Sequence, residues 1–404
     1  MYGNPSKALT ILSNKVFPIP AFLVSFPTNI HAMFKYSFLV ITLYIFASCQ
    51  PPKKEKDVAL NTKQRTYAIV SVVEDLSNPW GMTWLPNGAM LITEKSGELI
   101  YFKDGKKTEI TNVPKVYNRG QGGLLDIELH PQYAENGWIY MTYASSEGDD
   151  NGGNTALIRC KLKDDMSLDN IEKLYKATPN TTRGQHFGSR IEFDNEGYLY
   201  FSIGERGDRD VNPQDINRDG GKIYRLHDDG SIPKDNPFVG KDGLDAIYTF
   251  GNRNPQGMAL HPTTGKIWIH EHGPKGGDEI NIVEKGANYG WPVISYGVNY
   301  SGTKFTDETE RDGMTQPIYY WVPSIAPCGM AFVTSDIYPE WKGKLLVGSL
   351  KFNYVELLTL QGDKVTDRQK IAEDVGRVRN VKVSPDGYIH IAIEGQGIVK
   401  MVPN

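Results

Sequence analysis

The chain has 404 residues, 39% hydrophobic and 23% charged, which supplies one large or two modest cores and excludes disorder on a large scale. A formal net charge of -4 offers no overall basic field for nucleic acid or anionic lipid, so any anion site must be local. Glycine (41), proline (24) and tyrosine (22) are plentiful, a balance that favours short strands and tight turns and predicts an all-β fold. Cys49, Cys160 and Cys328 are too few for a disulfide framework, and none stands at C-x-x-C spacing.

In chain order, the first recognisable element is a targeting segment. Met33-Phe34-Lys35-Tyr36-Ser37 leads into an apolar run to Phe46 and then Ala47-Ser48-Cys49, a charged start and a short apolar region before small residues and a cysteine. This is the pattern of a bacterial lipoprotein signal. It predicts lipid on Cys49 and a location on the periplasmic side of a membrane or at the cell surface. A transmembrane anchor is the competing reading, disfavoured by the length and flanks of the run. Residues 1–32 then read as an upstream extension, 33–49 as the signal, 50–65 as a polar, proline-bearing tether and 66–404 as one folded domain.

From residue 66 onward one motif recurs: an alternating apolar stretch, a turn with Pro, Asp, Asn or Gly, and a second alternating stretch. The copies are 80–84 with 89–92, 125–129 with 138–141, 189–193 with 198–201, 257–260 with 266–269, 329–333 with 344–347, and 378–383 with 388–391. Each is a hairpin with one buried face. The spacing leaves room for two more strands per copy, which predicts a six-bladed β-propeller with four-stranded antiparallel blades. Residues 67–73 are expected to join the last blade and close the ring. A two-domain sandwich would show similar alternation. The long segments 205–250 and 270–325, rich in Gly, Asn, Asp and Pro, should form loops on one face and carry function.

Within those segments, His186 precedes an inner strand, and Glu205 follows the paired strand, where it could orient the imidazole as a general base. Arg253, in Gly251-Asn252-Arg253-Asn254-Pro255-Gln256-Gly257, offers a planar cationic fork, although loop arginines more often pair a carboxylate. The stretch from His270 to Asn281 combines a Gly273-Pro274 turn with Asp278 and Glu279, hard oxygens that favour calcium over zinc. Lys351 follows the fifth hairpin. Arg377 and Arg379 alternate along one strand and could grip a polycarboxylate, or simply form a solvated face.

Taken together, these blocks resemble the pyrroloquinoline quinone (PQQ)-dependent soluble aldose sugar and glucose dehydrogenases. The resemblance rests on Gly120-Gln121-Gly122-Gly123-Leu124-Leu125-Asp126, His186-Phe187-Gly188-Ser189-Arg190, the Arg253 block, Glu271-His272-Gly273-Pro274, Asp278-Glu279-Ile280-Asn281, Asn288-Tyr289-Gly290-Trp291-Pro292 and Arg377-Val378-Arg379, in family order from about Asn78 to Pro403. It implies a quinoprotein oxidoreductase that oxidises the C1 hydroxyl of aldose sugars to the lactone, passing hydride to PQQ and then electrons to a quinone or small redox protein. His186 would be the general base, with Glu205 supporting it and Arg253 polarising the quinone. Gln121, Asn254, Tyr300, Lys351, Arg377 and Arg379 would contact PQQ. Gly273 and Pro274 would bind the calcium beside PQQ, with Glu279 and Tyr289 at a separate calcium site. Glu205 stands where the glucose dehydrogenase branch resembles an aspartate, which points to the aldose sugar branch. Cys328 stands where a small polar residue is expected. The resemblance is compatible with a homodimer. The alternatives are a calcium-dependent propeller lactonase or other hydrolase, and a non-catalytic propeller that binds carbohydrate or protein.

Overall fold

The computed structural model describes residues 66–404; the expected signal, Cys49 and the tether lie outside the described residues. Short alternating strands joined by glycine turns pair into six four-stranded antiparallel sheets. Five are built from consecutive strands, at residues 79–110, 124–176, 191–250, 255–321 and 327–371. In the sixth, Tyr67–Glu74 pairs with Gly397–Pro403 outside the strands that follow Val378, so the start of the domain completes its last blade. This closure covers the edge that a linear array would expose.

The first strands of the blades touch their neighbours in a closed ring. Apolar side chains fill the space between each pair of adjacent blades, and six such clusters complete the circle. The cluster joining the sixth blade to the first, with Val73, Met82, Ile92 and Ile398, closes the ring by burial as the strand pairing does by hydrogen bonds. The structure is therefore the six-bladed propeller that the hairpin repeat predicts.

One irregularity repeats around the ring. The register of the first hairpin skips at Trp80, at Leu125 and Asp126, at Gln256, at Gly329 and at Arg379, near the start of five first strands. A bulge re-aims the side chain that it carries and bends the strand. Gly329 shows the crowding there: at φ +70°, an added Cβ would lie 2.5 Å from Asn380 Cα. Trp80, Gln256 and Arg379 are all turned by such skips onto the same end of the central channel.

Candidate functional site

Three of the bulged residues, Trp80, Gln256 and Arg379, help wall a cavity of about 360 Å³ at the end of the channel where the first strands begin. That volume lies within the roughly 300–1,000 Å³ typical of small-molecule sites. Of the residues singled out in the sequence, Gln121, Asn254, Arg377 and Arg379 line it. A larger groove of about 1010 Å³ runs between the fourth and fifth blades and has an aromatic floor, but none of the candidate residues lines it. The smaller cavity is the site that the chemistry selects.

His186 and Glu205 come together as expected. His186 Nδ1 meets Glu205 Oε1, and the main-chain N–H of His186 donates to Gln121 Oε1 at 2.7 Å. With Nδ1 donating to the carboxylate, Nε2 keeps its lone pair. Burial lowers the His186 pKa from its usual value, Arg253 lowers it further, and Glu205 opposes both. The imidazole is therefore neutral near pH 7 and able to accept a proton. Glu205 is itself buried; its N–H donates to Arg253 O at 2.8 Å, and its Oε2 has no partner. Asn254 Oδ1 accepts from Gly188 N at 3.1 Å, which ties the Arg253 block to the His186 loop.

The basic residues separate into three settings. Arg377 and Arg379 share Glu394: Arg377 Nε lies 2.6 Å from Oε2, and Arg379 donates from Nε to Oε1 at 2.8 Å and again from Nη2. Burial would raise the Glu394 pKa, but the two guanidiniums outweigh it and keep the carboxylate ionised. Lys95 adds a third cation to the cavity wall, held by Asn118 Oδ1 at 2.8 Å and Gly120 O at 3.1 Å. Lys351 lies outside this lining, where its Nζ donates to Ser324 O at 3.1 Å. Tyr300 is 73% exposed and also lies outside it. Arg253 is buried, and its Nη1 donates to His272 O at 3.0 Å and Gly273 O at 2.9 Å.

The cavity fits a flat polyanion with carbonyl groups. Three cations face one carboxylate, and the amides of Gln121, Asn254 and Gln256 supply neutral donors. The Gly273–Pro274 turn fits a divalent cation poorly as arranged, because the Arg253 guanidinium, 2.9 Å from Gly273 O, sets a fixed positive charge beside the ion. Glu279 fits better. It stands opposite Glu271 across two strands, and burial first and Glu271 second push its pKa well up, as expected of a carboxyl lacking a counter-charge. Tyr289 is buried nearby, with its hydroxyl donating to Ile282 O at 2.5 Å, so only its main chain is available as a ligand. Among the described residues no three His, Cys, Asp or Glu side chains converge on a metal position, so a cation at Glu279 would need main-chain oxygens as well. His270 and His272 instead join the fourth blade to the fifth through Gly329 O (3.1 Å) and Pro327 O (2.7 Å), and burial pulls both pKa values down.

Lys95, Glu394 and Arg190 were not singled out from the sequence as site residues. Arg190 fills the channel beneath the cavity. Its guanidinium donates to Gln256 O (2.8 Å), Arg379 O (2.9 Å), Asp126 Oδ1 (3.1 Å), Trp80 O (3.4 Å) and Cys328 Sγ (3.5 Å), touching each of the other five blades. Cys328 thus packs between Arg190 and Arg379, whose Nη1 lies 3.4 Å from its sulfur.

Comparison with known proteins gives a consistent result. Residues 76–400 match the family model described as Glucose / Sorbosone dehydrogenase. The aldose sugar dehydrogenase YliI of Escherichia coli is 41% identical over 367 residues, covering 89% of this chain and 96% of the relative. The quinoprotein glucose dehydrogenase B of Acinetobacter calcoaceticus is 30% identical over 363 residues, covering 81% and 73%. Among solved structures, the apo-form of the soluble aldose sugar dehydrogenase from Escherichia coli superposes with a TM-score of 0.81 at 40% identity, over 84% of this chain and 100% of that one. The PQQ-bound aldose sugar dehydrogenase from Streptomyces coelicolor gives 0.69 at 26% identity, over 84% and 99%.

Proposed function

The chain belongs to the glucose/sorbosone dehydrogenase family, and from that premise we propose that it is a PQQ-dependent aldose sugar dehydrogenase that oxidises the C1 hydroxyl to the lactone. The observation that carries the reading is the His186–Glu205 pair set beside a cavity lined by Lys95, Arg377 and Arg379. When bound, PQQ supplies the two-electron acceptor that takes hydride from C1. The protein supplies the rest. Arg377, Arg379 and Lys95 hold the carboxylates of the cofactor, while Gln121, Asn254 and Gln256 orient it.

His186 takes the hydroxyl proton on Nε2 as C1 loses its hydride. Glu205, bonded to Nδ1, keeps the ring in that tautomer and stabilises the imidazolium that forms. Arg253 adds fixed positive charge behind the reacting centre. We assign calcium to the Glu279 position, with a structural role. On the sequence alone, the protein is proposed to be anchored by lipid at Cys49 outside the cytoplasm, with a quinone or small redox protein as its acceptor. Adding PQQ to purified apoprotein and following dye reduction with aldoses tests the activity. Saturable, PQQ-dependent reduction is expected, and no reduction despite bound PQQ would reject it.

A further inference from the structure

Arg206 directly follows Glu205, yet its side chain points into the protein and is fully buried. It forms no ion pair among the described residues. Its guanidinium instead donates to main-chain carbonyls: Gln185 O at short range, Arg183 O at 2.8 Å and Gly153 O at 3.1 Å, with Thr181 Oγ1 at 3.3 Å. The group lies 3.4 Å over the Phe187 ring, and the Arg206 N–H donates to His186 O at 3.3 Å. The contacts therefore grip the chain just before, at and just after His186.

That segment needs holding. His186 has φ +57°, followed by Gly188 at +62° and Ser189 at +83°. An L-residue with a side chain is disfavoured there and stays only when its surroundings impose it. A buried guanidinium without a carboxylate is also costly, and burial pulls its own pKa down to about 9. Two unfavourable features thus meet at one loop, and that loop carries the proposed base.

We propose that Arg206 is a positioning residue for His186, clamping the 181–187 segment so that Nδ1 stays on Glu205. Glu205 and Arg206 then act on the same residue from two sides, one on the ring and one on the backbone. The charged or titratable groups facing His186 are Glu205, Arg206, Arg253 and His272; Arg253 and Arg206 disfavour its protonation and Glu205 favours it. The inference rests on the base assignment made above.

Arg206→Gln removes both clamp and charge, and Arg206→Lys keeps the charge without the fork. The experiment pairs an NMR titration of the His186 ring in apoprotein with PQQ titrations and turnover for both variants. Turnover should fall by about 10²-fold in each, the loss expected from displacing a catalytic group by roughly 1 Å. KM and half-saturation by PQQ should stay near wild type. The His186 titration should move up in Arg206→Gln and hold its place in Arg206→Lys. Undiminished turnover in a folded Arg206→Gln protein would overturn the proposal, as would the same His186 titration in wild type and Arg206→Gln. Should Arg206→Gln fail to fold, Arg206→Lys decides alone, with wild-type turnover counting against the clamp. If the wild type itself oxidises no aldose, the functional reading fails, while the ring titration still tests the electrostatic half of the clamp.

Discussion

Arg190 Nη1 lies 3.1 Å from Asp126 Oδ1, an ion pair between the third and second blades with side chains only 4% and 3% exposed. Asp126 Oδ2 also accepts from Ile191 N at 3.1 Å, so one carboxylate holds both the arginine and the strand that follows it. Breaking a buried pair leaves an uncompensated charge and costs about 3–5 kcal/mol. Asp126→Asn should therefore lower the stability of the domain by about that amount in chemical denaturation, without preventing ring closure. A loss below about 1 kcal/mol would mean that the channel hydrates the freed guanidinium.

Glu394 already occupies the donor edges of Arg377 and Arg379, so an incoming cofactor carboxylate meets a resident negative charge. At an effective dielectric constant near 20, a unit charge some 6 Å away is worth ~2–3 kcal/mol, part of which is offset because the carboxylate also orders the arginines. Glu394→Gln should tighten PQQ binding by about tenfold, whereas Arg377→Ala should weaken it by about 10- to 150-fold, the worth of one charge-assisted contact. Titration of each apo-variant measures both. Weaker binding in Glu394→Gln would show that orienting the arginines outweighs the repulsion.

The proton-accepting role proposed for His186 would have a pH signature. Its pKa is depressed below 6.5, by burial first and Arg253 second, so the neutral ring persists as the pH falls past that value. Turnover should stay level from pH 8 to about 6.5 and fall only when the ring protonates below that, because Nε2 can then accept nothing. His186→Ala should lose ~10²–10⁴-fold in turnover and keep its PQQ affinity. An acid limb centred above pH 7 would contradict the depressed value.

Calcium should act on stability through Glu279. Buried Glu271 and half-buried Glu279 stand opposite each other on adjacent strands of the fourth blade, and a divalent cation bound to the folded state alone would relieve their repulsion. Millimolar calcium should raise the melting temperature of the wild type but not of Glu279→Gln. An equal rise in both would place the ion elsewhere.

Much of the architecture is legible in the sequence because a propeller repeats a local signal: alternation with period two, then a turn tripeptide such as Pro385-Asp386-Gly387. The loops bearing His186, Glu205 and Asn254 follow from the same pattern, since each sits at the end of a recognisable strand. Glu394 was within reach. The sixth hairpin pairs Val378 with Ile393, which sets Glu394 opposite Arg377, so counting the register would have predicted the pair. Arg190 and Arg206 were not within reach, because a charged residue in a glycine-rich loop gives no local sign of being buried. Their partners are gathered by ring closure and by the crossing of two distant loops. Lys351 shows the converse: adjacent Leu350 lines the cavity, but the lysine turns to Ser324 O.

In the proposed reaction, hydride passes from C1 of an aldose to bound PQQ while His186 removes the hydroxyl proton. Anaerobic single-turnover mixing of PQQ-loaded protein with glucose, and with glucose deuterated at C1, tests it most directly. The bound quinone should be reduced with lactone as product, more slowly with C1 deuterium and ~10²–10⁴-fold more slowly in His186→Ala. Loaded wild-type protein whose quinone is not reduced by any aldose, or is reduced equally fast by His186→Ala, would contradict it.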